Sequence, residues 1–116
     1  LGVELSGEAI EQAKRRGLKI LQGKVSDRIP QIEEWISSIE LAGVFMNPPR
    51  MGLEPEWLDF LSNRIKGGTR SIYLSCNPAT LGRDVSALTQ NGWRVDEVRP
   101  YDFFPQTKHT EVLLFM

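Results

Sequence analysis

Cysteine and histidine are scarce in this chain of 116 residues, which holds one of each, Cys76 and His109. A single cysteine excludes an internal disulfide framework and a metal or iron–sulfur site ligated by several cysteines within this stretch. It also fits a reducing compartment, so we expect a cytoplasmic protein. Because a lone cysteine is more often a small buried apolar residue than a reactive one, its surroundings must decide between the two interpretations.

A dominant charge and long apolar runs are also lacking. Fourteen basic and fifteen acidic side chains leave a net charge of -1, so no overall basic field indicates a nucleic-acid partner. No apolar run approaches the roughly 18 residues of a membrane span. The composition, with 41% hydrophobic and 25% charged residues, is that of one globular domain or part of one. We expect no membrane partner, and nothing here implies an obligate protein partner.

Strand-like and helix-like patterns alternate along the chain. Strands are predicted at residues 1–4, 18–22, 42–46 and 72–74, and helices at 8–16, 28–38, 55–65 and from 78 to the Asn91-Gly92 pair. Two final strand-like stretches, 93–103 and 110–116, are separated by a short polar link, which favours an antiparallel pair. The alternation predicts an α/β fold with a parallel sheet, in which ligands gather beyond the carboxyl ends of the strands. The chain opens directly on a strand pattern, so we expect it to be a fragment cut from the middle of a longer protein.

Three side chains are predicted at the carboxyl ends of strands, namely Glu4, Asn47 and Cys76, and we expect them to face one crevice. A carboxylate at Glu4 can accept hydrogen bonds from two ribose hydroxyls of a nucleotide-like cofactor. Pro78 suits the first position of a helix, which places Cys76 just ahead of the helix N-terminus. Unpaired amides and the positive end of the helix dipole favour a thiolate there, and a thiolate is a nucleophile.

Three segments of the chain have distinctive sequences, namely residues 47–52 (Asn-Pro-Pro-Arg-Met-Gly), 73–80 (Tyr-Leu-Ser-Cys-Asn-Pro-Ala-Thr) and 102–111 (Asp-Phe-Phe-Pro-Gln-Thr-Lys-His-Thr-Glu). They resemble the signatures of the RNA uracil-5-methyltransferases, which use S-adenosylmethionine to make 5-methyluridine in transfer or ribosomal RNA. The three occur in the family's order, and the resemblance covers the whole chain. It implies a class I methyltransferase (Rossmann-like) sheet that ends in an antiparallel hairpin, with S-adenosylmethionine as cofactor and RNA as substrate.

The same resemblance implies that residues 1–116 are the C-terminal part of a class I methyltransferase catalytic domain. The glycine-rich cofactor motif and any RNA-binding domain are then expected upstream of residue 1. In the class I fold the strand of that motif lies between the strands that end at Glu4 and Asn47, so the sheet is expected to be incomplete. Without the backbone amides of that motif, the chain taken alone is expected to bind S-adenosylmethionine weakly or not at all and to be inactive. Its unpaired strand edges predict that it self-associates.

The resemblance also assigns roles to individual residues. Cys76 is the nucleophile that adds to carbon 6 of uracil, and Glu111 is the base that removes the proton from carbon 5. His109 packs against or orients the segment of Glu111. The remaining assignments are cofactor contacts at Glu4, Lys24 and Asn47, and substrate or RNA contacts at Asn47, Arg50 and Arg83.

Asn47 departs from the aspartate that is commoner in this family. An asparagine can accept a hydrogen bond from the N–H at ring position 3 of uracil and also donate to the neighbouring carbonyl, so uracil recognition is retained. Asn-Pro-Pro also opens the motif of amino-methyltransferases acting on adenine or cytosine, but those need an aromatic residue where Arg50 stands. A non-catalytic RNA-binding or scaffold domain is the other alternative, and the presence of both Cys76 and Glu111 argues against it.

A basic cluster near the start of the chain is a further candidate for RNA contact. No aromatic residues interleave with it to stack on bases, so a solvated helix surface is the favoured interpretation. The cluster comprises Lys14, Arg15, Arg16 and Lys19.

Overall fold

A computed structural model of the chain describes residues 1–65, 68–103, 105–106 and 110–116. These residues form two compact units, Leu1–Glu40 and Leu41–Met116, each with its own sheet. None of the helices in the described ranges combines the length and the apolar character that a membrane span requires.

The first unit contains two strands and two helices. The hydroxyl group of Ser6 caps the first helix by accepting a 3.4 Å hydrogen bond from the N–H of Ala9, and Gly17 follows that helix with a φ of 75°. Ile10 and Ile32 supply the buried apolar side chains of the two helices. The two strands pair in parallel, with Gly2 opposite Ile20. The elements are β1 (Gly2–Glu4), α1 (Gly7–Arg15), β2 (Ile20–Gln22) and α2 (Val25–Ser37).

Helix α2 begins three residues before its predicted start at Arg28. Pro30 therefore lies inside the helix, where it lacks the N–H for one intrahelical hydrogen bond. The apolar pattern continues into the additional turn, since Val25 and Ile29 are both half-buried and four residues apart. Burial of this longer apolar face offsets the single missing hydrogen bond.

The second unit contains a four-stranded sheet in the order β3-β4-β6-β5. Strands β3 and β4 are parallel, whereas β6 runs antiparallel to both β4 and β5, so the predicted C-terminal antiparallel pair is confirmed. The elements are β3 (Gly43–Met46), α3 (Pro55–Arg64), β4 (Arg70–Ser75), α4 (Pro78–Gln90), β5 (Glu97–Tyr101) and β6 (Glu111–Phe115).

The four-residue spacing of Trp57, Leu61 and Ile65 predicts that these side chains form the buried face of α3, and the structure differs from this prediction at one position. Leu61 and Ile65 are buried as predicted, but Phe60 is buried in the place expected for Trp57. The Trp57 ring is half-buried and stacks on Phe60, with ring centroids 5.3 Å apart. Stacking of a large ring on its i+3 neighbour widens the apolar face and leaves the outer ring partly in solvent.

Strand β5 starts four residues later than the predicted start at Trp93. The backbone N–H of Trp93 donates a 3.2 Å hydrogen bond to the carbonyl of Leu88, so this residue belongs to the C-terminal turn of α4. Gly92, with a φ of 90°, supplies the left-handed conformation of that turn.

Candidate active site

Asn47, Cys76 and Glu111 lie at the same end of the four-stranded sheet. Asn47 and Cys76 directly follow the carboxyl ends of two neighbouring parallel strands, β3 and β4. Strand β6 is antiparallel to β4 and pairs Val112 with Ser75, so Glu111 begins β6 beside the point where β4 ends and Cys76 follows. The sheet therefore places the residues that carry this amide, thiol and carboxylate at one of its ends.

These side chains are accessible to different degrees. Asn47 is exposed, whereas Cys76 and Glu111 are half-buried. None of the three residues is fully buried, so each is accessible to a ligand at this end of the sheet.

Cys76 lies in a turn whose backbone is held on both sides. The next residue, Asn77, is the N-cap of α4, and its side-chain oxygen accepts a 3.1 Å hydrogen bond from the N–H of Ala79. The Ser75 hydroxyl accepts from the N–H of Asn77 and donates to the Asn77 carbonyl, both at 3.1 Å. Pro78 occupies the first turn of the helix as predicted. The nucleophile candidate therefore directly precedes a capped helix N-terminus.

The segment that follows Asn47 is bound to the start of α4. The carbonyl of Arg50 accepts hydrogen bonds from the Asn77 side-chain amide at 3.0 Å and from the Thr80 hydroxyl at 3.1 Å. Nη2 of Arg83 donates to the carbonyl of Met51 at 2.9 Å. Asn77 and Thr80 of the second sequence signature, together with Arg83 three residues beyond it, thus hold the backbone of the first signature.

Asp84 is the residue of this region that sequence analysis missed. Its side chain is fully buried, and Oδ1 accepts from Nε and Nη2 of Arg83 at 2.8 and 2.6 Å. Oδ2 accepts from the backbone N–H of Leu53 at 2.7 Å and from the hydroxyl of Tyr73 at 2.8 Å. Burial of Tyr73 and its hydrogen bond to Asp84 raise the pKa of that hydroxyl above its ordinary value. The sequence did hold a signal for this residue, because Asp84 is an acidic residue between Leu81 and Leu88 on the apolar face of α4.

The two arginines predicted to contact RNA lie near this segment. Arg50 is exposed, and the Arg83 side chain is 54% exposed although its guanidinium binds Asp84. Their contact with RNA stays a prediction. The third signature lies partly outside the described residues, and His109 is among the residues not described.

Glu4 and Lys24 lie in the first unit, at the same end of its two-stranded sheet. Oε1 of Glu4 accepts from the backbone N–H groups of Leu5 and Ser6, both at 2.8 Å, so the turn into α1 orients the carboxylate. Lys24 is the exposed N-cap residue of α2. Its neighbour Gly23 donates a 3.0 Å backbone hydrogen bond to the Glu4 carbonyl.

A metal centre has no support in the described part of the chain, where no three His, Cys, Asp or Glu side chains are grouped to hold an ion.

Comparison with known proteins gives consistent results. The family model described as tRNA (Uracil-5-)-methyltransferase matches residues 5–116. An uncharacterized RNA methyltransferase of Clostridium acetobutylicum is 36% identical over 122 residues, which covers 99% of this chain and 26% of the relative. Another from Lactococcus lactis is 34% identical over 117 residues, covering 97% of this chain and 25% of the relative. The chain thus spans about a quarter of the length of these relatives.

A solved structure shows the fold. Precorrin-6y C5,15-methyltransferase from Geobacter metallireducens aligns with a TM-score of 0.60 over 98% of this chain and 64% of that chain. The sequence identity is 17%, so the likeness concerns the fold alone. It confirms the predicted class I methyltransferase fold.

Proposed function

The chain belongs to the tRNA (uracil-5-)-methyltransferase family, and from this premise we propose that the whole protein transfers a methyl group from S-adenosylmethionine to carbon 5 of a uridine in RNA. The observation that carries the proposal is the pairing of Ser75 with Val112, because it brings Glu111 to the end of the sheet where Cys76 lies. A nucleophile and a base at one place are what this reaction needs.

Cys76 supplies the covalent step. Carbon 5 of uracil is too weak a nucleophile to accept a methyl group unaided, and addition of the Cys76 thiolate to carbon 6 converts the ring into an enolate that is nucleophilic at carbon 5. When bound, S-adenosylmethionine supplies an electrophilic methyl group on a sulfonium. Glu111 then takes the proton from carbon 5, and the electron pair of that C–H bond expels the thiolate and restores the ring.

Asn47 is the proposed recognition group for the base. Its amide oxygen accepts from the N–H at ring position 3, and its amide nitrogen donates to an adjacent carbonyl. Since the amide is exposed at the end of β3, it is available to a uracil that has left its stack.

Glu4, Lys24 and Asn47 are the proposed cofactor contacts. A carboxylate offers about four acceptor sites, and the hydrogen bonds to Leu5 and Ser6 occupy only part of that capacity. The remainder suits the two hydroxyls of a ribose, and the turn already orients the group. The acceptor capacity that remains at Glu4 therefore fits the nucleoside part of S-adenosylmethionine.

An RNA substrate, transfer or ribosomal, follows from the proposed reaction, with Arg50 and Arg83 as phosphate contacts. We place this activity in the cytoplasm.

Mass spectrometry of nucleosides from total RNA tests the proposal. Cells that lack the full gene should lose a 5-methyluridine, and the wild-type gene should restore it while a Cys76→Ala gene should not. If no 5-methyluridine disappears, the proposal is wrong. Loss of a methylated adenosine or cytidine instead would favour amino methylation, and an unchanged set of nucleosides would favour a non-catalytic RNA-binding domain.

A further inference from the structure

The segment of residues 47–53 depends on α4 for its position. It has no helix or strand, and Pro48 and Pro49 contribute no backbone N–H donors. Within the segment, Gly52 donates a 2.9 Å hydrogen bond to the Pro49 carbonyl. The other hydrogen bonds described for its backbone, at Arg50, Met51 and Leu53, all involve side chains of Asn77 or α4.

Asp84 connects this segment to two further elements. Its four hydrogen bonds fill about the full acceptor capacity of a carboxylate. They come from Leu53 in the segment, from Tyr73 on β4 and from Arg83 on α4. Because the group is fully buried, water cannot replace a lost partner, and each bond is correspondingly costly to break.

Gly52 lets the segment lie directly against this carboxylate. A Cβ atom at Gly52 would be 2.5 Å from Oδ2 of Asp84 and 2.6 Å from Nη2 of Arg83, and its φ is 81°. The backbone of the segment therefore contacts the ion pair with no side chain between them. Such direct contact gives the segment little freedom to shift.

We propose that Asp84 is a positioning residue, which holds Asn47 in register with Cys76 by fixing the segment 47–53 against β4 and α4. The inference rests on the proposed function, because it assumes that Asn47 and Cys76 act on the same uracil. Asn47 begins the segment that Asp84 holds at Leu53, and Cys76 lies between Tyr73 and Asp84 in the chain. A shift of about 1 Å between such groups costs on the order of 100-fold in rate.

The test uses the full-length protein and steady-state methylation of an RNA substrate. Asp84→Asn removes the charge that binds Arg83 but keeps the size of the side chain, and kcat should fall about 10- to 100-fold. The KM for RNA should change little, since phosphate contacts dominate that affinity. The matched control is Asp59→Asn, which removes an exposed charge on α3, where Asp59 accepts a hydrogen bond from Asn63, and should leave kcat unchanged.

A double-variant cycle separates positioning from a purely structural role. If Asp84 acts through Asn47, the variant carrying both Asp84→Asn and Asn47→Ala should be no slower than Asn47→Ala alone. Rate losses that multiply would overturn the proposal. So would a soluble, folded Asp84→Asn protein with a lowered melting temperature and wild-type kcat. If Asp84→Asn does not fold, Tyr73→Phe decides by the same criteria, because it removes a single hydrogen bond to the carboxylate.

Hydrogen exchange gives a readout that does not depend on methylation. The N–H of Leu53 should be protected in the wild-type protein and should exchange at least tenfold faster in Asp84→Asn, whereas the control at Asp59 should not change it. If the Leu53 N–H exchanges in Asp84→Asn at the same rate as in the wild-type protein, Asp84 does not hold the segment. If the wild-type protein makes no 5-methyluridine, the proposed function fails, and this exchange still decides whether Asp84 fixes the segment.

Discussion

The hydroxyl group of Tyr73 donates a 2.8 Å hydrogen bond to Oδ2 of Asp84, and both side chains are fully buried. A phenolate in this place would be a second negative charge beside a carboxylate, out of contact with water. Burial and the hydrogen bond to Asp84 therefore raise the pKa of Tyr73 above its ordinary value. The folded protein keeps this hydroxyl neutral, so that it remains a hydrogen-bond donor.

This coupling predicts a loss of stability at high pH. Tyr73 ionises in the unfolded chain near pH 10 but stays protonated in the folded protein, so its contribution is fully present below about pH 10. Above that pH the unfolding free energy should fall by about 1.4 kcal/mol per pH unit on account of this residue. Urea denaturation of the wild-type and Tyr73→Phe proteins measures the difference. The unfolding free energies of the two proteins should differ by a constant amount from pH 7 to 9 and should converge above pH 10. A difference that stays constant over the whole pH range would contradict the prediction.

Gly52 should not tolerate a side chain. Gly52→Ala places a methyl group 2.5 Å from the buried Asp84 carboxylate and forces a φ of 81° on an alanine, so we expect a loss of about 2 kcal/mol or more. Gly82→Ala is the matched control, because a Cβ there meets nothing within 4 Å and the position is helical. That change should stabilise the protein by about 0.5–1 kcal/mol. Thermal melts of both variants test this, and equal melting temperatures would disprove it.

The local signals in the sequence explain which features of the fold could be predicted. Ser6 and Pro78 have side chains whose geometry suits helix starts, and both occupy such starts. The short link between residues 103 and 110 favoured the antiparallel pair that is found. A helix boundary is harder to predict where two signals conflict, as at Pro30, which lies inside α2 because the apolar face extends beyond it.

Asp84 shows why part of the site could not be predicted. Its partners at positions 53, 73 and 83 come from three separate segments, and nothing in the local pattern indicates that they converge. The same holds for Glu111, whose place beside Cys76 depends on the register of β6 against β4. Its assignment came from the family resemblance, since an isolated glutamate at a strand end has no distinctive pattern.

Arg83 is expected to have two effects when it is replaced. Its Nε and Nη2 bind Asp84 and the carbonyl of Met51, but a guanidinium has five donors and half of this side chain is exposed. Arg83→Gln should therefore lower kcat. It should also reduce the slope of log K for RNA binding against log salt concentration by about 0.7–0.9. Arg50→Gln should reduce the slope by the same amount. Titrations of RNA binding at several salt concentrations measure this slope. An unchanged slope for Arg83→Gln would exclude Arg83 as a phosphate contact.

Asn47 should respond differently to two substitutions. In the full-length protein, Asn47→Ala is expected to cost about 2–4 kcal/mol in transition-state binding, because a flipped uracil would leave buried polar edges unpaired. Asn47→Asp should keep or raise activity, because a carboxylate can still accept from the N–H at ring position 3. Values of kcat/KM for the three proteins on one RNA substrate test this. An inactive aspartate variant beside a fully active alanine variant would show that Asn47 does not recognise uracil.

The nucleophile and the base can be separated by the order in which bonds form. Cys76 acts before the methyl group is transferred and Glu111 acts after it, so the two variants should stop the reaction at different stages. Cys76→Ala should form no covalent adduct with RNA containing uridine or 5-fluorouridine, because nothing adds to carbon 6.

Glu111→Gln should instead accumulate a methylated adduct on ordinary uridine, since the thiolate cannot leave until the proton on carbon 5 is removed. Denaturing gels with a labelled methyl donor distinguish the two outcomes, and the wild-type protein with 5-fluorouridine RNA provides the positive control for the adduct. A Glu111→Gln protein that turns over normally, or one that never forms a labelled adduct, would assign the base to another residue and leave Glu111 with a structural role at the start of β6.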